Sequence, residues 1–207
     1  VKTVHKTNGY GQLKYVISEI LPEYVDKVIF LDSDMLVLED ISVLHSYCNV
    51  MQTRGIMFAA TGDQYKRDDL ERSFGRGASR RAINSGLVLY NLAAMRRGVH
   101  TMFCSSQVFS SISCFRKYNT YQDVFTAVAI LRPETYLKLQ CFYNFQIGSK
   151  LLYSFIYGYF SPLVFKIPHW TESNKYYENS GHSATFSPIY RCFQLLDGYD
   201  FEDDSHW

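Results

Sequence analysis

Two aspartates stand inside an apolar run: Val28-Ile29-Phe30-Leu31 precedes Asp32-Ser33-Asp34, and Met35-Leu36-Val37-Leu38 follows it. A continuous apolar run of this length reads as a fully buried strand of an α/β sheet, here interrupted by an acidic site. In a strand, side chains at i and i+2 share a face, so Asp32 and Asp34 are expected to point together and Ser33 away. The carboxyl end of such a strand is where open α/β sheets bind ligands. Two clustered carboxylates repel unless a cation sits between them, and hard oxygen ligands at this spacing suit Mn²⁺ or Mg²⁺ bridging a diphosphate. Such a metal would stabilise a departing phosphate. The competing reading is a turn carrying two solvated aspartates, and the apolar flanks weigh against it.

The surrounding pattern alternates. Leu13, Val16, Ile17 and Ile20 recur at helical spacing until Pro22, which predicts a helix packed by that face. Asp40 is placed to cap a helix carrying Ile41 and Leu44, and residues 56–60 read as the next strand. Residues 63–81 are polar and arginine-rich, with Gly75 and Gly77, and are expected to form a long loop. Leu87-Val88-Leu89-Tyr90 is strand-like after Asn84-Ser85-Gly86, and Asn91 can cap a helix through Leu92, Met95 and Arg96. Helical spacing returns over residues 122–130, a last strand is expected at 164–167, and a final helix at 186–196. This is βαβ alternation without internal repeat or domain boundary.

Composition removes several classes of function. With a net charge of +1 over 207 residues, the chain has no global electrostatic support for nonspecific nucleic-acid binding, and no nucleic-acid partner is expected. No segment reaches the roughly 18 uninterrupted apolar residues of a membrane span. The nearest, residues 151–165, is broken by Ser154, Gly158, Ser161 and Pro162. The five cysteines include no C-x-x-C pair, so a thiolate zinc site is not indicated and one disulfide stays open. The chain opens Val1-Lys2-Thr3 without a leader, which predicts an upstream part in a longer parent.

For a third metal ligand, His169 stands out among six histidines because it directly follows an apolar strand, and neutral imidazole suits Mn²⁺. A packed core histidine is the plainer alternative. Lys175 follows at a distance that reaches a phosphate or is simply solvated. A calcium loop fails, because Met35-Leu36-Val37 supplies neither further oxygen ligands nor a turn glycine. A phosphatase of the aspartate-nucleophile type is a weak rival: its strand and D-x-D match, but Met35-Leu36 replaces the expected Gly-Thr-like pair.

Leu31-Asp32-Ser33-Asp34, Asn84-Ser85-Gly86, Gln122-Asp123 and His169 with Lys175 occur in the order that resembles family 8 retaining glycosyltransferases. The stretch Leu139-Gln140-Cys141-Phe142-Tyr143-Asn144-Phe145-Gln146 is similar to one in the xylosyltransferase domain of LARGE-type bifunctional glycosyltransferases, with glucoside xylosyltransferases next. The resemblance spans nearly the whole chain. It implies an α/β, Rossmann-like GT-A fold with a central mixed sheet. Residues 1–207 would form a single partial domain lacking the first nucleotide-binding strand.

The resemblance implies a metal site of Asp32, Asp34 and His169 holding Mn²⁺, with Mg²⁺ possible. It implies donor contacts from Asn84, Ser85, Gly86, Lys14, Asp32 and Lys175, and a catalytic pair of Gln122 beneath the anomeric carbon and Asp123 beside it. The implied reaction moves a sugar, xylose by this resemblance, from UDP-xylose or another UDP-sugar to a hydroxyl of a glycan on a glycoprotein, in the Golgi lumen. A membrane anchor would belong to an upstream segment. Retention leaves two routes open, a same-face attack aided by the leaving phosphate and a covalent route through Asp123. The sequence departs from the family where Tyr121 replaces an aspartate, Glu172 a glycine, and Gln12 a basic residue. The Tyr121 change, with the missing strand, keeps a noncatalytic relative as the alternative function.

Overall fold

The computed structural model describes residues 11, 13–65, 67–98, 121–147 and 165–171. The elements are α1 (Leu13–Ile20), β1 (Lys27–Leu31), α2 (Ser42–Arg54), β2 (Phe58–Gly62), α3 (Asp68–Phe74), β3 (Ile83–Asn91), α4 (Leu92–Gly98), α5 (Tyr121–Leu131), β4 (Tyr136–Leu139), β5 (Phe145–Ile147) and β6 (Pro168–Trp170). Four strands form a mixed sheet in the order β1-β3-β2-β4. β3 runs antiparallel to both neighbours, while β2 and β4 are parallel. β5 and β6 pair in parallel as a second, two-stranded sheet. Among the described residues no helix is long and apolar enough to cross a membrane.

β3 explains why the sheet forms where it does. All nine of its residues are buried, and its alternate side chains feed two cores. On one face Val88 and Tyr90 join Phe58 and Ala60 of β2 against Leu70 of α3 and Phe125 and Val128 of α5. On the other, Leu87 and Leu89 join Ala59 against Leu44, Cys48 and Met51 of α2. Helices therefore cover both faces, as a buried apolar strand requires. Phe58 meets Phe125 edge-on at 5.3 Å between ring centroids, a favourable quadrupole geometry.

The ladder is interrupted at one place. Ala60 pairs with Val88, yet the next residue, Thr61, pairs with Asn84, so residues 85–87 of β3 are looped out of the β2 register. On the other side the β1 register runs unbroken to Leu31 opposite Leu87, and the Asp32 N–H continues it to the Gly86 carbonyl at 2.8 Å. Such irregularities re-aim the residues they carry, and this one lies under the acidic site.

Several sequence expectations need correction. β1 ends at Leu31, and its residues are half-buried rather than fully buried. Residues 36–38 are not a strand, although Leu36 and Leu38 N–H groups reach the carbonyls of Pro168 and Lys166. The chain turns at Ser33-Asp34, so the two aspartates converge through a turn instead of strand alternation. The expected loop over 63–81 holds helix α3 and a 3-10 turn, Ala78–Arg81. The apolar residues of α3 are Leu70 and Phe74 alone, four residues apart, too little to register as periodicity. Helix α1 forms, but Leu13 and Ile20 are exposed while Lys14 and Ser18 are buried. Arg96 of α4 explains the rotation. Its guanidinium donates to the carbonyls of Ser18, Leu21, Pro22, Glu23 and Val25, satisfying the helix end from the side.

Other expectations hold. Asp40 Oδ1 accepts the Ser42 N–H at 2.8 Å at the start of α2, and Asn91 Oδ1 accepts the Ala94 N–H at 3.1 Å at the start of α4. The terminal helix expected at 186–196 lies outside the described residues, and of the strand expected at 164–167 the pairing begins instead at Pro168. Cys48 and Cys141 are free thiols.

Candidate active site

Three side chains meet at the carboxyl end of β1. The ligand atoms of Asp32, Asp34 and His169 all lie within 4.8 Å of one another, and His169 is buried while both aspartates are partly open. His169 Nε2 stands 3.1 Å from Asp34 Oδ1 and 4.0 Å from Asp32 Oδ2. Backbone pairing brings them together. Met35 bridges His169, and the Trp170 N–H donates to the Asp34 carbonyl at 3.0 Å, so β6 is laid along the turn that carries the aspartates.

The imidazole is oriented from behind. Asn84 Oδ1 accepts the Gly86 N–H at 2.9 Å and one Asn144 amide hydrogen at 2.9 Å. That fixes Asn144 with its Oδ1 toward His169 Nδ1, 2.9 Å away. An amide oxygen only accepts, so Nδ1 donates to Asn144 and Nε2 is the ring nitrogen that faces the two carboxylates. Two carboxylates and a ring nitrogen thus face one another, a ligand set that suits a divalent cation and has a polar second layer. The residues present fit Mn²⁺ or Mg²⁺ by charge and ligand type.

Gly86 has a steric duty here. A Cβ at that position would lie 2.3 Å from His169 Cε1 and 2.6 Å from Nδ1, so only glycine lets the ring pack on β3. Lys14 closes the site from α1. Its Nζ donates to Asp32 Oδ1 at 2.7 Å and to the Ser85 carbonyl at 2.9 Å, and burial lowers its pKa, partly offset by Asp32. The Ser85 hydroxyl is buried without a hydrogen-bond partner among the described residues.

Gln122 and Asp123 begin α5 and sit in a second cluster. Gln122 Nε2 donates to Asp63 Oδ2 at 3.0 Å. Asp123 is fully buried and receives Arg67 Nη2 at 2.6 Å, and the same guanidinium lies 3.9 Å from Asp63. Arg67 is itself held by Ser79 Oγ, which accepts its backbone N–H at 2.8 Å. Of the residues expected to contact a donor, Lys175 lies outside the described residues, as does the Tyr121 side chain.

Four functional positions escaped the sequence reading. Asn144 and Gln146 had been noticed only as part of a similar stretch, yet Asn144 aims the histidine. Gln146 Oε1 accepts the Gln64 N–H at 3.3 Å, and its Nε2 donates to the Gly62 carbonyl at 3.3 Å. Asp63 and Arg67 lay in the presumed loop. The signal available was an N-x-Q spacing after an apolar strand, and nothing marked the arginine among its neighbours.

A mixed sheet with helices on both faces and a D-x-D turn facing a histidine defines the GT-A class of nucleotide-sugar transferase. Solved structures agree on the fold. Mouse xyloside xylosyltransferase 1 in its apo form matches with a TM-score of 0.65 at 20% identity, covering 82% of this chain and 66% of that one. The galactosyltransferase LgtC with donor and acceptor sugar analogs matches with a TM-score of 0.59 at 16% identity, covering 92% and 67%. The profile of glycosyl transferase family 8 matches residues 11–179, and the chain belongs to that family. Similar curated relatives include the xylosyl- and glucuronyltransferase LARGE2s of Gallus gallus, 26% identical over 202 residues, and LARGE2 of Homo sapiens, 27% identical over 202 residues. Both alignments take in 94% of this chain, which spans only 26% and 27% of the respective relatives' lengths.

Proposed function

We propose that this chain carries a metal-dependent, retaining sugar transfer from a UDP-sugar, with UDP-xylose as donor, to a hydroxyl of a glycan acceptor on a glycoprotein in the Golgi lumen. The observation that carries the reading is the Asp32–Asp34–His169 cluster with its imidazole locked by Asn144. The donor identity follows the relatives whose names include xylosyltransferase activity. Asp32, Asp34 and Lys14 together carry one net negative charge. A divalent cation bound there supplies the positive charge that receives a diphosphate and steadies it as it leaves.

This chain's own residues then divide the remaining work. Lys14 holds Asp32 by one oxygen and leaves Oδ2 on the histidine side. Asp63 fixes the Gln122 amide by its nitrogen, so the carbonyl oxygen is the end available to a developing positive charge on the sugar. Asp123 is sealed and neutralised by Arg67, which supports the same-face route over a covalent one: a nucleophile must reach the anomeric carbon. Asp123 is thus a positioning residue at the base of α5.

The test is UDP-xylose turnover and transfer to a xylose acceptor panel with Mn²⁺, Mg²⁺ or EDTA. Metal-dependent UDP release that disappears in Asp34→Ala and survives in Asp123→Asn at reduced stability supports the reading. A folded, Mn²⁺-loaded protein that neither binds nor turns over any UDP-sugar refutes transfer and leaves the noncatalytic relative.

A further inference from the structure

β5 and β6 form a sheet of their own, and in it His169 of β6 stands directly opposite Gln146 of β5. The Gln122 amide is held from the larger sheet, by Asp63 immediately after β2. No strand ladder joins β2 to β5 among the described residues. Two glutamines span the gap instead. Gln64 Nε2 donates to the Asn144 carbonyl at 3.0 Å, and its Oε1 accepts the Gln146 N–H at 3.1 Å. Gln146 answers in kind: its Nε2 donates to the Gly62 carbonyl and its Oε1 accepts the Gln64 N–H, both at 3.3 Å. In each direction a side-chain amide takes one carbonyl and the N–H two residues further on. Those are the two bonds that one residue of a parallel neighbouring strand supplies.

Gln146 is fully buried, so its amide depends on these protein partners. The next residues extend the link. Thr171, at the end of β6, donates its hydroxyl to the Ile147 carbonyl at 3.2 Å, so its oxygen accepts the Tyr65 hydroxyl at 3.1 Å. On either side stand the groups that sugar transfer uses together. Gln64 follows Asp63, which fixes Gln122, while Gln146 pairs with His169 and lies beside Asn144, which aims that ring. A reciprocal clasp that ties both backbones by side-chain amides therefore joins the metal cluster to the base of α5.

We propose that Gln64 and Gln146 are positioning residues whose clasp sets the separation between the Asp32–Asp34–His169 site and the Gln122 amide. Its purpose rests on the transfer reading, but its test does not. The experiment compares the isotope-labelled full chain with Gln64→Met, Gln146→Met and the double variant by NMR, since methionine keeps the length of the side chain and removes both amide bonds. In metal-free protein, Gln64→Met speeds hydrogen exchange at the Gln146 N–H, and Gln146→Met speeds it at the Gln64 N–H. A mere loss of stability speeds exchange throughout the fold instead. Each single variant keeps the other glutamine's two bonds, and circular dichroism checks that it folds.

Substoichiometric Mn²⁺ then reads the separation, because its relaxation enhancement falls with the sixth power of distance. In the double variant the enhancement at the Asn144 side-chain amide is kept and that at the Gln122 amide changes several-fold. With a UDP-sugar, kcat falls about 10–100-fold while KM for the donor stays within about threefold, as expected of a misplacement near 1 Å. Unchanged exchange at the partner glutamine overturns the clasp, whether or not the chain transfers sugar. A Gln122 enhancement unchanged in the double variant, or a kcat loss restored by saturating Mn²⁺, overturns its positioning role. A wild type with the exchange and relaxation pattern but no turnover supports the clasp and contradicts the transfer reading.

Discussion

Two pairs of aspartates lie at the carboxyl edge of the sheet, and the protein treats them oppositely. Asp63 and Asp123 have a guanidinium between them, and their side chains are 5% and 0% exposed. Asp32 and Asp34 are 25% and 24% exposed, and the group that faces them is an imidazole. Lys14 holds Oδ1 of Asp32 and the Ser85 carbonyl. The first pair is joined by a guanidinium that fixes the start of α5; the second is more open and shares its space with a ring nitrogen. A carboxylate pair is therefore a structural or a metal site according to what the chain itself places between the charges.

The strongest way to break this contrast is to remove the internal cation. Arg67→Met leaves Asp123 buried without its partner and is expected to cost about 3–5 kcal/mol, read from urea midpoints. Asp34→Asn in metal-free protein is expected to change stability by less than about 1 kcal/mol, since that pair is open to water. Equal losses in the two variants contradict the distinction.

Gly86→Ala comes next. The new methyl lands on the His169 ring and is expected to cost about 1–3 kcal/mol by overpacking and to abolish Mn²⁺ binding. The double variant Gly86→Ala/His169→Ala separates the two effects: thermal stability returns toward wild type and metal binding does not. Asn144→Ala is a milder perturbation that frees the histidine from its tautomer, and Mn²⁺ affinity is expected to drop about 10–100-fold in a competition titration.

The smallest effect is at the Asp40 turn, outside both clusters. The Ser42 N–H holds the Asp40 carboxyl below its ordinary value of 3.8, so the folded state prefers the carboxylate. Its contribution is complete above that value and fades as pH falls through the lowered folded pKa. Asp40→Asn keeps an acceptor without a charge and removes this acid dependence, measurable as amide protection at the start of α2 between pH 2 and 5. An unchanged acid profile rejects the assignment.

The legibility of these features in the sequence follows the same physics. The pair Asp32 and Asp34 announced itself because charge inside an apolar run is costly, and His169 because it ends another apolar stretch. Helices α2 and α4 showed through Asp40 and Asn91, whose short side chains satisfy N–H groups locally. Local signals of this kind survive in a single sequence. Arg67 did not: its partner Asp123 is 56 residues away, and a polar helix with only Leu70 and Phe74 to bury leaves no period. Strands β4 and β5, of four and three residues, are too short to alternate visibly. Asn144 is set by Asn84 and His169 across 60 and 25 residues, a relation only the folded chain displays.

The central claim is that Asp32, Asp34 and His169 form one divalent cation site. Electron paramagnetic resonance of free Mn²⁺ titrated with the metal-free protein tests it directly. The account predicts one Mn²⁺ bound per chain, lost in Asp34→Ala and in His169→Ala while Asp123→Asn retains it. A folded wild type that leaves the free-ion signal untouched contradicts the claim, as does binding that persists in both Asp34→Ala and His169→Ala.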